Sequence, residues 1–253
     1  MDLDSQLRWT SAARTDVGLV RSRNEDAFLD QPQRGLWAVA DGMGGHAFGD
    51  LASGTVADAL AALPAPESLA DFVALARARL TQVNEALRLE ARTRQVPVIG
   101  STVVALLAFG AEAACLWAGD SRIYLCRAGR LQQLTRDHST LEALKDQGAD
   151  PAAAAAASPN MITRAIGAAD SIAFDVAPLT VRDGDVFLLC SDGLSTPVEE
   201  AAIAAALAPG DCARAADELV ALALARGGRD NITAVVVRVD DLAGDKTVVN
   251  PAL

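Results

Sequence analysis

Leu36-Trp37-Ala38-Val39-Ala40 is a short apolar run that stops at the pair Asp41-Gly42. A continuous apolar run of this length, bounded by a turn signal, predicts a buried β-strand. The same pattern recurs at Val186 to Cys190, which stops at Ser191-Asp192-Gly193. Each of these two predicted strands therefore delivers a carboxylate at its C-terminal end.

Further β-like runs and longer helical segments surround these two strands. The spacing of apolar residues predicts helices over Gly49–Leu63 and Ser68–Arg94. Helix starts are also predicted after Ser139, Thr196 and Asp211, the first two from capping boxes. The other predicted strands are Leu7–Ala13, Ala27–Leu29, Thr102–Phe109, Ala113–Ala118, Arg122–Arg127, Ile172–Pro178 and Ile232–Val239.

Strands and helices follow one another in separate runs, which favours an α+β layered fold over alternating βαβ units. Three turns have the composition of hairpin connections: Gly119-Asp120, Ala128-Gly129 and Asp183-Gly184. The last links two β-like runs and is the clearest of the three. Antiparallel pairing is therefore expected.

Acidic residues recur where these strands start or stop. Glu25-Asp26 precede one strand, Asp230 precedes another, and Asp120 lies in a tight turn. Because the end of one antiparallel strand neighbours the start of the next, these acids and those at Asp41 and Asp192 can gather at one edge.

A cluster of carboxylates is self-repelling unless a cation neutralises it. Oxygen ligands without a matching set of cysteines and histidines favour hard ions such as Mg²⁺ or Mn²⁺. Two such ions that share a carboxylate form a hydrolytic centre. Asp-Gly pairs are, however, most common as plain turns. The spacing alone therefore leaves two interpretations open, a metal site and ordinary turns.

Composition excludes several other classes of protein. The 253 residues include 22 Lys and Arg against 33 Asp and Glu, a net charge of −11, which disfavours nucleic acid or an anionic membrane as partner. A hydrophobic content of 51% excludes a disordered acidic chain. The four cysteines lack CxxC spacing and predict reduced core thiols. With no signal-like leader or membrane-length apolar run, we expect a cytoplasmic protein.

Eight short motifs follow one another in order from about residue 9 to 240. They begin with Thr15-Asp16-Val17-Gly18-x-Val20-Arg21-x-x-Asn24-Glu25-Asp26 and Asp41-Gly42-Met43-Gly44-Gly45-His46. The others are Gly100-Ser101-Thr102, Gly119-Asp120-Ser121-Arg122, Thr135-Arg136-Asp137-His138, Thr163-Arg164-Ala165-x-Gly167, Ser191-Asp192-Gly193-Leu194 and Asp230-Asn231-x-Thr233. Together these motifs resemble those of the bacterial metal-dependent serine/threonine protein phosphatases of the PPM (type 2C) family.

The resemblance implies a four-layer α/β/β/α sandwich of two antiparallel sheets flanked by helices. It implies one phosphatase domain over residues 1–241, with a small flap insert at about 138–168. Residues 242–253 are expected to form a loosely ordered C-terminal tail.

The resemblance also implies the chemistry: hydrolysis of phosphoserine and phosphothreonine in proteins by a metal-activated bridging water. Two Mn²⁺ or Mg²⁺ ions are expected in the core site, and a third beside them. Arg21 and Asp41 are the expected catalytic residues, with Arg21 also binding the substrate phosphate. The implied metal ligands are Asp41, which bridges the two ions, the carbonyl of Gly42, Asp192, Asp230 and, with Asp192 at the third ion, Asp120. Glu25 and Asp26 are expected to hold metal-bound water, and Asn231 is expected to support the ligands without binding an ion.

One position departs from the pattern. Met43 stands where many eukaryotic relatives carry a histidine that is proposed as the general acid. His46 lies three residues later, and we do not assign it the same task. His46 and His138 are interpreted as loop residues with local hydrogen bonds.

The leading functional hypothesis is a monomeric phosphatase that acts on phosphorylated proteins and opposes a cognate bacterial Ser/Thr kinase. A second hypothesis is a pseudoenzyme that binds phosphoproteins without turnover, although all the expected carboxylates are present. A third is a stress-signalling phosphatase acting on an anti-sigma antagonist. A catalytic domain alone also resembles the phosphatases encoded beside type VI secretion kinases.

Overall fold

The strands of the protein form two antiparallel sheets, as seen in a computed structural model that describes residues 7–43, 48–146, 148 and 161–241. His46, residues 147 and 149–160 of the predicted flap and the predicted tail 242–253 lie outside the described residues. The strands are β1 (Leu7–Asp16), β2 (Asp26–Gln31), β3 (Leu36–Met43), β4 (Gly100–Ser101), β5 (Val103–Phe109), β6 (Glu112–Ala118), β7 (Arg122–Arg127), β8 (Arg130–Gln133), β9 (Asp175–Thr180), β10 (Val186–Cys190) and β11 (Ile232–Asp241).

One sheet has the strand order β1-β11-β10-β7-β8, and the other has β2-β3-β5-β6-β9 with the short β4 paired to β3. The helices in the described part of the chain are α1 (Gly49–Ala61), α2 (Leu69–Arg94), α3 (Thr140–Asp146), α4 (Asp192–Ser195), α5 (Glu200–Leu207) and α6 (Cys212–Ala225). A single 3₁₀ turn, Pro32–Arg34, joins β2 to β3.

Alternation along β3 shows how the layers are built. Trp37 and Val39 point into a core between the two sheets, which they share with Phe187 of β10. Leu36 and Ala38, on the opposite face of the strand, pack instead under α1 and α2. Both faces of the strand are buried, which is why its sequence is continuously apolar rather than alternating.

A third core cluster lies between the other sheet and the helices α5 and α6. The layers are therefore helix, sheet, sheet, helix, and the predicted four-layer α+β sandwich is confirmed. Trp9 of β1 joins the central layer, because its ring lies 5.1 Å from Trp37 and 6.4 Å from Phe187.

Helices begin at the predicted positions in three places, and at each a side chain caps the first turn. The Ser68 hydroxyl accepts from the Asp71 N–H at 3.1 Å, and the Asp211 carboxylate accepts from the Arg214 N–H at 3.0 Å. Ser139 likewise accepts from the Glu142 N–H at 3.3 Å at the start of α3. These side chains satisfy backbone donors that the first helical turn leaves free.

The predicted helix start at Thr196 is wrong. Thr196 has helical backbone angles and its N–H bonds to the carbonyl of Asp192, so it closes α4 rather than opening α5. A helix N-cap needs extended backbone angles, which Glu199 adopts instead. The one-turn helix α4 follows β10 directly. Thr196, which the local pattern assigned to an N-cap, is therefore the C-cap of α4.

Two of the three predicted hairpins are also wrong. Asp183-Gly184 connects β9 to β10 and Gly119-Asp120 connects β6 to β7, and in both cases the two strands belong to different sheets. Ala128-Gly129 does close a hairpin, with both residues at positive φ, 50° and 74°. Turn composition fixes the local backbone but does not fix which sheet the next strand joins.

Candidate metal centre

The acidic residues named above meet because several strands start or stop at the same end of the sandwich. Asp26, the first residue of β2, lies opposite Asp41 near the end of β3. In the other sheet, Cys190 ends β10 opposite Arg122, the first residue of β7, and opposite Ala234 near the start of β11. The flanking residues Asp192, Asp120 and Asp230 therefore come to this end as well.

The acids are close enough to influence one another electrostatically. Asp41 is half-buried, and the desolvation of its carboxyl raises the pKa well above the ordinary value. Repulsion from Asp26, Asp192, Asp120 and Asp230 raises that pKa further. A carboxyl that must lose its proton among four others is costly to ionise, and a bound cation reverses that cost.

Asp26 is fixed by two hydroxyl groups. Its Oδ2 accepts hydrogen bonds of 2.7 Å from both Ser191 Oγ and Thr233 Oγ1. Its Oδ1 is buried without a hydrogen-bond partner among the described residues. Burial raises the pKa of Asp26 to about 6, although the two hydroxyl bonds favour the charged form. One oxygen is thus anchored, and the other is left as an acceptor.

Asp120, like Asp26, has one carboxylate oxygen that makes no hydrogen bond with a described residue. Its Oδ1 is buried and has no hydrogen-bond partner within the described ranges. Burial raises its pKa to about 7, and repulsion from Asp192 and Asp137 acts in the same direction. A small cavity of about 100 Å³ lies here between Asp120, Asp192 and the start of α3. Helix α3, which lies in the segment predicted to form a flap, therefore borders the acidic site.

Three of the predicted metal ligands, Asp230, Asp192 and Asp41, are engaged with other side chains in this structure. Arg21 Nη2 donates to Asp230 Oδ2 at 2.7 Å. Burial raises the pKa of Asp192, repulsion from Asp230 adds to the rise, and a hydrogen bond shared with Asp41 opposes it. With these pairings, no three or more His, Cys, Asp or Glu side chains in the described part of the chain are arranged as a complete cation site.

The glycines after Asp41 and Asp192 allow close backbone approach. The Gly42 N–H donates to the carbonyl of Glu25 at 3.0 Å, and a Cβ on Gly42 would collide with the carbonyl oxygen of Gly49. A Cβ on Gly193 would collide with the carbonyl oxygen of Asn231. Both Asp-Gly pairs are therefore parts of this site rather than plain surface turns.

Asn231 holds the loop that carries Arg21. Its side-chain Nδ2 donates to the carbonyls of Val17 at 2.9 Å and Arg23 at 2.8 Å, and its Oδ1 accepts from the Glu25 N–H at 2.8 Å. These three bonds fix both ends of the loop on which Arg21 lies. The side chain is buried, so its bonds are protected from water.

Several supporting residues were not recognised from the sequence. Thr102 Oγ1 accepts from the Asp41 N–H at 3.0 Å and shares a 2.7 Å hydrogen bond with Ser121 Oγ. Ser191 and Thr233, which anchor Asp26, also received no role. All four are small hydroxyl residues inside the quoted motifs. Ser121 and Ser191 adjoin Asp120 and Asp192, whereas Thr102 and Thr233 have no acid or glycine beside them, so only the motifs themselves point to these two.

His138 has the local role expected for it. Its Nδ1 accepts from the Gly119 N–H at 3.1 Å, and its ring stacks on Trp117 at 6.2 Å. Burial lowers its pKa below the ordinary value, although the nearby Asp175 favours the charged form. His138 thus supports the turn that carries Asp120.

Comparison with known proteins was made at the level of sequence and of structure. The Protein phosphatase 2C family model matches residues 20–225. The serine/threonine protein phosphatase PstP of Mycobacterium tuberculosis is 40% identical over 237 residues, which cover 91% of this chain and 45% of PstP. The chain thus spans less than half the length of that relative.

Two solved structures resemble the fold closely. PppA, described as a key regulatory component of T6SS in Pseudomonas aeruginosa, is 46% identical with a TM-score of 0.85, and the match covers 91% of this chain and 97% of PppA. The catalytic domain of PstP in complex with two manganese ions is 39% identical with a TM-score of 0.82, covering 93% of this chain and all (100%) of that domain. No helix in the described ranges is both long and apolar enough to cross a membrane.

Proposed function

Because the chain belongs to the protein phosphatase 2C family, we propose that it hydrolyses phosphoserine and phosphothreonine in proteins. The observation that carries the proposal is the convergence of five aspartates, with Arg21 beside them, at one end of the sandwich. Carboxyls whose pKa values are raised by desolvation and mutual repulsion suit a site for hard divalent cations.

We assign two Mn²⁺ or Mg²⁺ ions to Asp41, the carbonyl of Gly42, Asp192 and Asp230, with a third ion held by Asp120 and Asp192. The buried, unpartnered Oδ1 atom of Asp120 supports this assignment, as does the all-oxygen chemistry of the donors. When bound, such ions lower the pKa of coordinated water and offset the negative charge of the phosphate.

Arg21 is assigned to the phosphate group of the substrate. Its guanidinium is half-exposed, with 55% of the side chain accessible, and it is charged at any relevant pH. Its ion pair with Asp230 raises its pKa further above the ordinary value. A guanidinium can exchange this carboxylate for two phosphate oxygens, which are bidentate acceptors of the same geometry.

Glu25, Asp26 and Asn231 are assigned to holding and orienting the reacting groups. Asp26 keeps Oδ2 on Ser191 and Thr233, which leaves Oδ1 to accept a hydrogen bond from a water molecule. Asn231 fixes the backbone of Glu25 and of the Arg21 loop. A site held in this way requires little rearrangement when substrate binds.

The proposed substrates are phosphorylated proteins, and the proposed partner is a cognate bacterial Ser/Thr kinase whose action the enzyme reverses. Similarity to PppA favours the regulation of type VI secretion as the setting. We further propose that the protein works as a monomer in the cytoplasm, where its four free cysteines, all buried, stay reduced.

The test is release of inorganic phosphate from phosphoserine and phosphothreonine peptides with Mn²⁺, and with EDTA in its place. Turnover that requires Mn²⁺ and falls at least about a thousandfold in Asp192→Asn is expected, because this residue is assigned to two ion sites. Asp58→Asn, which makes the same change on the exposed face of α1, is the control and should keep full activity. Peptide binding without phosphate release would favour the pseudoenzyme, and full turnover in Asp192→Asn would overturn the ligand assignment.

A further inference from the structure

An open groove of about 370 Å³ runs away from the acidic cluster. It starts at Asp192 and Asp230 and continues between the end of α4 and the turn that follows α6. Thr196 and Pro197 form one wall, and Arg226 and Arg229 are on the other. The groove is thus continuous with the proposed catalytic site.

Arg226 and Arg229, the two arginines of this groove, form no ion pair with any described residue. Both are exposed, and neither guanidinium makes an ion pair or side-chain hydrogen bond with any described residue. By contrast, Arg21 binds Asp230 and Arg122 forks onto Asp137 at 2.7 and 2.9 Å. Free guanidinium groups beside the site are notable in a chain with a net charge of −11.

The turn that carries these arginines is fixed by its backbone. The N–H groups of Gly227 and Gly228 bond to the last carbonyls of α6, at Leu224 and Ala223. The carbonyl of Gly228 accepts from the Leu19 N–H at 2.7 Å, two residues before Arg21. The groove wall and the Arg21 loop are therefore held together, and the arginines stand at a set position relative to the proposed phosphate site.

We propose that this groove binds acidic side chains next to the phosphorylated residue of a protein substrate. The proposal rests on the phosphatase function proposed above. The charged residues on the groove lining are Asp192, Asp230, Arg226 and Arg229, and the two aspartates are assigned to cations. The arginines are then the charges left to select the substrate, and a carboxylate is their natural ligand.

The test compares phosphoserine peptides that carry two glutamates before the phosphoserine, two after it, or glutamines at the same positions. The unmodified protein with Mn²⁺ should prefer a glutamate peptide, with the difference in KM rather than kcat. The double variant Arg226→Glu/Arg229→Glu should lose about tenfold in kcat/KM on that peptide and should lose the preference. Its hydrolysis of p-nitrophenyl phosphate, which is too small to occupy the groove, should stay within about twofold.

Arg77→Glu/Arg130→Glu is the matched control, since both residues are exposed arginines without an ion pair to any described residue, on α2 and on the hairpin of β8. It should keep the glutamate preference. The milder pair Arg226→Gln/Arg229→Gln gives the same test if charge reversal impairs folding.

Equal rates on glutamate and glutamine peptides would overturn the groove proposal, as would equal loss on peptide and p-nitrophenyl phosphate. Absence of Mn²⁺-dependent turnover of p-nitrophenyl phosphate by the unmodified protein would instead overturn the proposed function, on which this proposal depends.

Discussion

Nη2 of Arg21 lies 2.7 Å from Oδ2 of Asp230, so a residue assigned to the phosphate is paired with one assigned to a cation. The two residues are 209 positions apart in the chain and meet because Asn231 holds the Arg21 loop against the start of β11. An arginine and a divalent cation that bind the same carboxylate compete for it. Arg21 therefore has two opposing effects on activity, which substitution can separate.

The first prediction concerns Arg21→Ala. Loss of the guanidinium should lower kcat/KM on a phosphopeptide by about 10- to 100-fold, since a charge-assisted contact to phosphate disappears. The Mn²⁺ concentration for half-maximal activity should fall, because Asp230 no longer has a competing partner. Activity is measured against Mn²⁺ at several peptide concentrations.

Arg23→Ala is the control for that experiment, because Arg23 is exposed on the same loop and its side chain has no assigned role. It should change neither quantity by more than about twofold, the effect expected of an isolated surface charge. A higher Mn²⁺ requirement in Arg21→Ala would show that Arg21 assists cation binding rather than competing with it.

The second prediction concerns pH and the metal-free protein. Folding raises the pKa of Asp26 to about 6 and that of Asp120 to about 7, from 3.8. In this window the folded state binds more protons than the unfolded state, so stability falls as pH rises. The contribution of these groups is fully present below about pH 4 and lost above about pH 7, a difference on the order of 3 to 4 kcal/mol for each group.

Urea denaturation in EDTA at intervals between pH 4.5 and 7.5 measures this dependence. Asp120→Asn should show a shallower fall than the unmodified protein, since one of the titrating groups is gone. Asp58→Asn, on the exposed surface of α1, should leave the slope unchanged. A metal-free protein that gains stability from pH 4.5 to 7.5 would contradict the account of the buried acids.

Much of this arrangement is predictable from local sequence, and its limits have physical causes. Asp41 and Asp192 follow continuous apolar runs, and Ser68 and Asp211 cap helices, so strand ends and helix starts are visible in the chain. The partner of a strand is not visible in that way. Asp183-Gly184 has the chemistry of a hairpin, yet β9 and β10 belong to different sheets.

The hydrogen bonds between side chains inside the site cannot be predicted from the sequence either. The sequence predicts that the aspartates gather, because antiparallel strands share their ends, but it does not predict which oxygen is anchored and which is free. The Oδ2 atom of Asp26 depends on hydroxyls 165 and 207 positions away, on Ser191 and Thr233. Such contacts follow from the register of two sheets and not from spacing along the chain.

The third prediction concerns the three hydrogen bonds by which the Asn231 side chain holds the Arg21 loop. Asn231→Ala removes two donors and one acceptor from the Arg21 loop and leaves the carbonyls of Val17 and Arg23 without these partners. The free energy of unfolding should fall by about 2 to 3 kcal/mol, because part-buried backbone groups of Val17, Arg23 and Glu25 lose their bonds. Trypsin should cleave faster after Arg21 and Arg23, because the loop is released, and kcat/KM should fall with it.

The conservative variant Asn231→Asp separates the contribution of the acceptor from that of the two donors. It keeps an acceptor for the Glu25 N–H but loses both donors to the loop carbonyls. Faster cleavage than in the unmodified protein is therefore expected here too, with mass spectrometry identifying the cut sites. Unchanged cleavage in both variants would show that other contacts hold the loop.

The fourth prediction uses the register pair Asp26 and Asp41, which lie opposite each other on β2 and β3. Saturating Mn²⁺ should raise the melting temperature by roughly 5 to 10 °C. This follows from about 2.7 kcal/mol of binding free energy at a hundred times the dissociation constant and roughly 2 to 4 °C per kcal/mol.

Asp41→Asn should have opposite effects on the metal-free and the Mn²⁺-loaded protein. Without metal it should melt at a higher temperature than the unmodified protein, because one repelling carboxylate is removed, and with Mn²⁺ it should gain little. The variant should therefore have the higher melting temperature in EDTA, and the unmodified protein should have the higher one in Mn²⁺. Asp58→Asn should follow the unmodified protein in both conditions. If Asp41→Asn kept the full Mn²⁺ shift, Asp41 would not be the shared ligand, and the assignment of both core ions would fail.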